Sequence, residues 1–150
     1  MTLETKPGSI EQPFNRRGAG VIFYIKSTDQ FMFFLRDDKE SIPCPNMIDI
    51  IGGHLEGDET AEEGALREVT EELEDAQTGR PFEPSQLTFF DSWVDGRGVQ
   101  QNIFGCEPED VPDIRTNEGQ GLVFLSREEL ALTDFAFSYR DVVLRYAASI

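Results

Sequence analysis

Apolar residues in this chain fall into short dense runs, interrupted once by a long stripe of helical period. Arg17-Gly-Ala-Gly-Val-Ile-Phe-Tyr-Ile25 and Gln30-Phe-Met-Phe-Phe-Leu35 are rich in β-branched and aromatic residues. They predict two strands joined as a hairpin by Lys26-Ser-Thr-Asp29. Leu87 to Val94 and Val99 to Phe104 predict a second pair, turned by Asp95-Gly-Arg-Gly98, and Leu122 to Leu125 a further strand. Between them Ala61, Ala65, Val69 and Leu73 recur at four-residue intervals, the spacing of a helix laid on a sheet. Phe137 to Ala148 has helical spacing too, through Tyr139, Val142, Val143 and Tyr146. Hairpins with helices packed outside them predict an α/β fold: a mixed β-sheet sandwiched between helices.

The first helix has a legible beginning. Thr60 with Glu63 three residues on forms a capping box, so the helix opens at Thr60 and carries to Leu73 or beyond. Ahead of it, Met47-Ile-Asp-Ile-Ile51 reads as a short strand or extended segment and is followed by Gly52-Gly53, expected as a glycine turn where the backbone can come close to a ligand.

Opposite the apolar stripe the same helix is acidic. At about 100° per residue, Glu72 lies about 40° round from Glu68 and Glu71 about 60° round on the other side, so the three share one sector. Two such charges 4 Å apart repel by about 4 kcal/mol at an effective dielectric of 20. A hard divalent cation with oxygen ligands removes that conflict, and Mg²⁺, which shares its shell readily with phosphate oxygens, suits the set. Arg67, four residues after Glu63 and four before Glu71, is placed to steady the array. The competing reading is a solvated acidic face with no ion.

These residues resemble a known family. The pattern G-x5-E-x7-R-E-U-x-E-E-x-G-U, with U a bulky aliphatic residue, is the motif of the Nudix hydrolases, and Gly53, Glu59, Arg67, Glu68, Val69, Glu71 and Glu72 fill it in register. The order of strands is similar to the family's domain from near Arg17 onwards. The resemblance implies a Nudix-type α/β/α sandwich. It implies Mg²⁺-dependent hydrolysis, with Mn²⁺ as a substitute, of a pyrophosphate bond in a nucleoside triphosphate or in a nucleoside diphosphate linked to another moiety. Carried over position by position, Glu68, Glu71 and Glu72 are metal ligands, with the Gly52 carbonyl as an additional one. Gly53 and Glu59 support the site, and Arg67 orients the glutamates. Glu118, in Arg115-Thr-Asn-Glu-Gly-Gln-Gly121, is the expected general base, with Glu68 and a metal-bound hydroxide as rivals and an ordinary exposed loop glutamate as the competing reading. Ser126 to Leu130 resembles the short helix that follows the last strand in the family. A homodimer is a resemblance-level expectation.

The chain departs from the motif at its end, where Glu74 and Asp75 replace the glycine and the aliphatic residue, and at Ile51, where the family often has proline. Without the usual stop, the helix is expected to run on towards Gly79, before Arg80-Pro81. A sensor that binds a nucleotide without cleaving it is the alternative function; the intact set of carboxylates speaks against it.

Length and charge narrow the picture. With 150 residues the chain suits one domain, expected over residues 17–150, preceded by a polar arm over 1–16 that is loose or adds an edge to the sheet. A net charge of −16 excludes a general nucleic-acid binder but not a small phosphorylated ligand, because a cation on the acidic helix reverses the local field. The only cysteines, Cys44 and Cys106, are expected as buried apolar residues. With no signal-peptide core and no run long enough to cross a bilayer, the expected location is cytoplasmic.

Substrate contacts are the least specified. Phe89, Phe90, Trp93, Phe135, Phe137 and Tyr139 read as core first and as a stacking face for a base second. Arg16, Arg17, Arg36 and Arg97 are candidate phosphate contacts, and His54 adjoins the glycine pair.

Overall fold

Two hairpins form where the apolar runs place them. In the computed structural model, which describes residues 16–150, β1 (Arg17–Ile25) turns into β2 (Gln30–Leu35) with Phe23 opposite Met32 and Ile25 opposite Gln30. The second pair is β6 (Thr88–Val94) and β7 (Gln100–Cys106), also antiparallel. β7 then lies parallel to β1, from Arg17 opposite Gln100 to Phe23 opposite Cys106, and this one parallel ladder makes the sheet mixed. β9 (Gly121–Ser126) covers the outer edge of β2. The expected arm lies outside the described residues except for Arg16.

The segment that leads to the acidic helix is wedged into this sheet. β3 (Ile48–Asp49) pairs with the far end of β2, Leu35 opposite Ile48. β4 (Ile51–His54) pairs with the near end of β1, Gly18 opposite His54. β1 and β2 therefore pair with each other only over Phe23–Ile25 and Gln30–Met32, and the chain from Ile48 to His54 occupies the gap where they part. Gly52 and Gly53, expected as a turn, are strand residues instead, held in register with the sheet by the ladder from β4 to β1.

Both faces of the sheet are covered, which is why its strands read as nearly continuous apolar runs. Side chains alternate between two cores with the period of two that a strand imposes. Val21, Phe23, Met32, Phe34 and Phe104 point towards α1 (Ala61–Glu72), meeting Ala65, Val69 and Leu73. Ile22, Phe31, Phe33 and Ile103 point the other way, towards α2 (Arg127–Leu130) and α3 (Arg140–Ala148), where they meet Leu130, Phe135, Val142, Val143 and Tyr146. The α/β/α sandwich is thus a consequence of alternation in strands too apolar to leave either face wet. Phe135 belongs to this second core and Phe90, Trp93 and Tyr139 pack against it, whereas Phe89, expected first as core, is exposed. Cys106 is buried, whereas Cys44 is only half-buried in a loop; both are free thiols. Among the described residues no helix is long and apolar enough to cross a membrane.

α1 begins as expected and ends sooner. Thr60 accepts the Glu63 N–H at 3.1 Å while the Glu63 carboxylate accepts the Thr60 N–H at 2.9 Å. The expected continuation towards Gly79 is incorrect. Helix stops at Glu72, and β5 (Leu73–Asp75) follows at once, pairing with β8 (Ile114–Thr116) in a small separate sheet. Asp75 supplies the local reason: its Oδ1 accepts the N–H groups of Gln77 and Thr78, both at 2.9 Å, a turn that competes with helical bonding. Pairing of Glu74 with Arg115, at 2.7 Å, supplies the tertiary one.

Replacing Thr60 with Ala removes one cap bond and is expected to lower stability by about 1 kcal/mol, read as a lower urea midpoint with an unchanged slope.

Candidate active site

α1 presents its acidic sector to the glycine strand. Glu68, Glu71 and Glu72 each bring a carboxylate oxygen within 4.8 Å of the others, so the sector inferred from helical spacing is a real cluster. Glu68 is the innermost, with 9% of its surface exposed, while Glu71 is exposed. The carboxylate of Glu68 lies directly on Gly53. A β-carbon there would stand 2.6 Å from Glu68 Oε2, which gives the glycine a steric reason. Gly52, Gly53 and His54 continue as one wall of a neighbouring cleft, with His54 exposed.

Arg67 holds the array from behind. Its Nε and Nη2 grip the two oxygens of Glu59 at 2.6 and 3.1 Å, a bidentate fork. The remaining nitrogen, Nη1, reaches Glu68 Oε2 at 3.0 Å and Glu71 Oε1 at 3.1 Å, and Nη2 also donates to the His54 carbonyl at 2.9 Å. Glu59, held also by the Glu56 N–H at 2.8 Å, is therefore an anchor for the arginine. Glu63, spaced for a pair with Arg67, is instead spent in the capping box. Bonding to Glu59 raises the Arg67 pKa above its ordinary value, and the same contact lowers that of Glu59.

Electrostatics in the cluster remain unfavourable even so. Burial pushes Glu68 up, with Arg67 opposing. Glu72 is pushed up to about 7, first by burial and then by the charges of Glu118, Glu68 and Glu71. Arg67 touches Glu68 and Glu71, so Glu72 is left to repulsion. Oxygen donors converging with too little positive charge are the donor set of a hard divalent cation. Glu68, Glu71 and Glu72 would hold it.

Glu118 stands on the loop between β8 and β9, exposed, and its charge is felt at Glu72, Glu68 and Asp49. The fold thus brings together two stretches of chain that the sequence separates by more than forty residues.

The adjoining cleft, about 290 Å³, runs from the glycine strand to Arg36, Arg97, Phe137 and Tyr139. Of the four candidate arginines, Arg36 and Arg97 line it, each with its guanidinium carbon 4.9 Å from the centre of the Phe137 ring. Arg16 donates to the Arg97 carbonyl, and Arg17 donates to the Glu59 carbonyl at 3.0 Å, so both act on the frame of the site. Phe137 and Tyr139 are the two candidate aromatics in the cleft; Phe137 reaches it through a left-handed backbone (φ 56°) followed by Ser138 (φ 71°). Such geometry is strained for residues with side chains and concentrates at functional sites.

Two cleft residues, Asp49 and Gln101, and Asp95, which is bonded to Gln101, escaped the sequence reading as parts of the site. Asp49 is buried, 6% exposed, with its oxygens taken by Arg36 at 2.9 Å and the Ile50 N–H at 2.8 Å. Burial raises its pKa and Arg36 opposes the rise. An acid inside an apolar run was the available signal. Gln101 is bonded to Tyr139 at 3.2 Å and to Asp95 at 3.0 Å, and Asp95 holds Arg97 at 2.8 Å. Nothing in the local sequence distinguishes Gln101 and Asp95.

A family model, the NUDIX domain, matches residues 14–146. The chain belongs to the Nudix family of pyrophosphohydrolases. Among solved structures it is similar to the MutT protein from Methanosarcina mazei Go1 (21% identity, TM-score 0.67, covering 94% of this chain and 98% of that one). It is also similar to DR0079 from Deinococcus radiodurans (21%, TM-score 0.64, 86% and 81%) and to a C. elegans Ap4A hydrolase (16%, TM-score 0.67, 87% and 96%). At these identities the likeness is one of fold. Among curated proteins none matches.

Gly53→Ala is expected to displace the Glu68 carboxylate and weaken Mn²⁺ binding at least tenfold by titration calorimetry, while circular dichroism stays that of the native fold.

Proposed function

We propose that this chain is a Mg²⁺-dependent pyrophosphohydrolase, with Mn²⁺ as a substitute, acting on a nucleoside triphosphate or a nucleoside diphosphate linked to another moiety. One observation carries the reading: three glutamates from one helix converge within 4.8 Å at the edge of an open cleft. A bound divalent ion supplies positive charge at the phosphate oxygens and acidifies water. Everything else is the work of this chain's side chains.

Glu68, Glu71 and Glu72 are the ligands we assign, with the Gly52 carbonyl as a further one. Arg67 and Glu59 orient them, and Gly53 makes room for Glu68. Glu118 is the base we assign: it takes the proton of the attacking water as the new P–O bond forms and the bridging P–O bond breaks, and the displaced phosphate leaves with the bridging oxygen. Its position beside Glu72 supports this role over that of Glu68, whose carboxylate is already bonded to Arg67. The organic part of the substrate occupies the cleft, against Phe137 and Tyr139. A guanidinium has five N–H donors, so Arg36 and Arg97 keep donors for sugar or phosphate oxygens after pairing with Asp49 and Asp95.

Incubation with Mg²⁺ and nucleoside triphosphates, Ap4A and nucleoside diphosphate sugars, scored by product, tests the class. Inorganic pyrophosphate identifies a triphosphate substrate, and two phosphomonoesters identify a conjugate. Saturable nucleotide binding with no hydrolysis of any member would reject the enzyme and favour the sensor. Glu118→Gln is expected to reduce kcat by about 10²-fold; undiminished turnover removes Glu118 as the base and leaves the rest of the site standing.

A further inference from the structure

The end of α1 is capped from outside the helix. The last carbonyls of a helix lack partners within it, and the motif position whose glycine would ordinarily turn the chain is Glu74 here. Asn117 takes the task over. Its main-chain N–H donates to the Glu72 carbonyl at 2.7 Å, and its side-chain Nδ2 donates to the Glu71 carbonyl at 3.0 Å. The two residues it grips by their backbone are two of the three whose carboxylates form the cluster.

Glu118 is the next residue, and its surroundings are unusually constrained for an exposed side chain. The Thr116 hydroxyl accepts the Glu118 N–H at 3.1 Å and donates to the Glu118 carbonyl at 2.9 Å, closing a tight turn. Gly119 follows with φ 71° and packs so closely on the Leu35 carbonyl that a β-carbon would collide with it. Gln120 then donates from its main chain to the Leu35 carbonyl at 2.8 Å, and from its side chain to the Arg36 carbonyl at 2.8 Å and Asn46 Oδ1 at 2.9 Å. One neighbour of Glu118 is tied to the acidic helix and the other to the end of β2.

We propose that Asn117 is a positioning residue for hydrolysis: by tying the loop to the Glu71 and Glu72 carbonyls it sets the Glu118 carboxylate against the glutamate cluster. The proposal rests on the pyrophosphohydrolase reading with Glu118 as base. An ordinary cap would stabilise α1 and be indifferent to Glu118. The position of this one, a single residue from Glu118 and on the backbone of the cluster itself, couples the loop to the cluster, and misplacement by about 1 Å costs about 10²-fold in rate.

A double-mutant cycle, run with the substrate that the nucleotide panel identifies, tests it. Asn117→Ala is expected to lower kcat at least tenfold with KM changed less than threefold, and to cost less than twofold further in a Glu118→Gln background. The same loss in both backgrounds would show that Asn117 does not act through Glu118. Undiminished turnover of Glu118→Gln itself would overturn the positioning role while leaving the enzyme reading intact. Hydrogen–deuterium exchange of the metal-free protein tests the tie without activity: N117A is expected to speed exchange at residues 118–120 together with Leu73, while residues 64–68 stay protected. Unchanged exchange at 118–120 would overturn the proposal whatever the substrate panel yields. Should N117A fail to fold, Asn117→Ser, which likewise keeps the main-chain N–H and removes the Nδ2 donor to the Glu71 carbonyl, serves in both measurements.

Discussion

Mutual repulsion among Glu68, Glu71 and Glu72 is the constraint around which this molecule is arranged. Three carboxylates within 4.8 Å, one of them nearly buried, would drive a free helix apart or take up protons. The fold resists this in two ways. Apolar burial of Ala65, Val69 and Leu73 clamps the opposite face of α1 to the sheet, and Arg67, locked in a fork on Glu59, sets fixed positive charge behind the array. Neither device reaches Glu72, whose pKa is raised first by burial and then by the charges of Glu118, Glu68 and Glu71. The negative charge left on the cluster is what a divalent cation would neutralise.

The sheet serves the same end by parting. Because β1 and β2 pair along only part of their length, β3 and β4 fit between them and bring Gly52 and Gly53 beneath α1. The absence of a side chain at Gly53 then admits the Glu68 carboxylate. The same opening leaves Asp49 facing the cleft, where burial of its charge is tolerable because Arg36 and the Ile50 amide satisfy both oxygens. Structure and site are one set of contacts here: the strand that completes the sheet is also the floor of the cleft.

Residues of two kinds line the cleft. Next to the acidic helix they are Gly52, Gly53 and His54 of the glycine strand, and beyond them Arg36, Arg97, Gln101, Phe137 and Tyr139 form a network. That network is chained by bonds from Tyr139 to Gln101 to Asp95 to Arg97, and the strained Phe137 and Ser138 backbone is the price of presenting an aromatic ring to both guanidiniums.

Local spacing and composition sufficed for the acidic sector of α1, its capping box, both hairpins and the two-sided burial of the sheet, because each depends on a period of two or of 3.6 residues or on bonds between near neighbours. The length of α1 did not follow from the chain, since its end depends on a ladder between Leu73–Asp75 and Ile114–Thr116 and on the Asn117 cap, contacts across some forty residues that no local pattern encodes. Arg36 and Arg97 looked like any other arginine until folding placed them on one ring, and Arg67 pairs with Glu59, outside the helix, and not with the helix-spaced Glu63, which Thr60 already holds in the capping box. What a residue can do was legible from its type and its neighbours; what it does was set by competition among partners that meet only when the sheet closes.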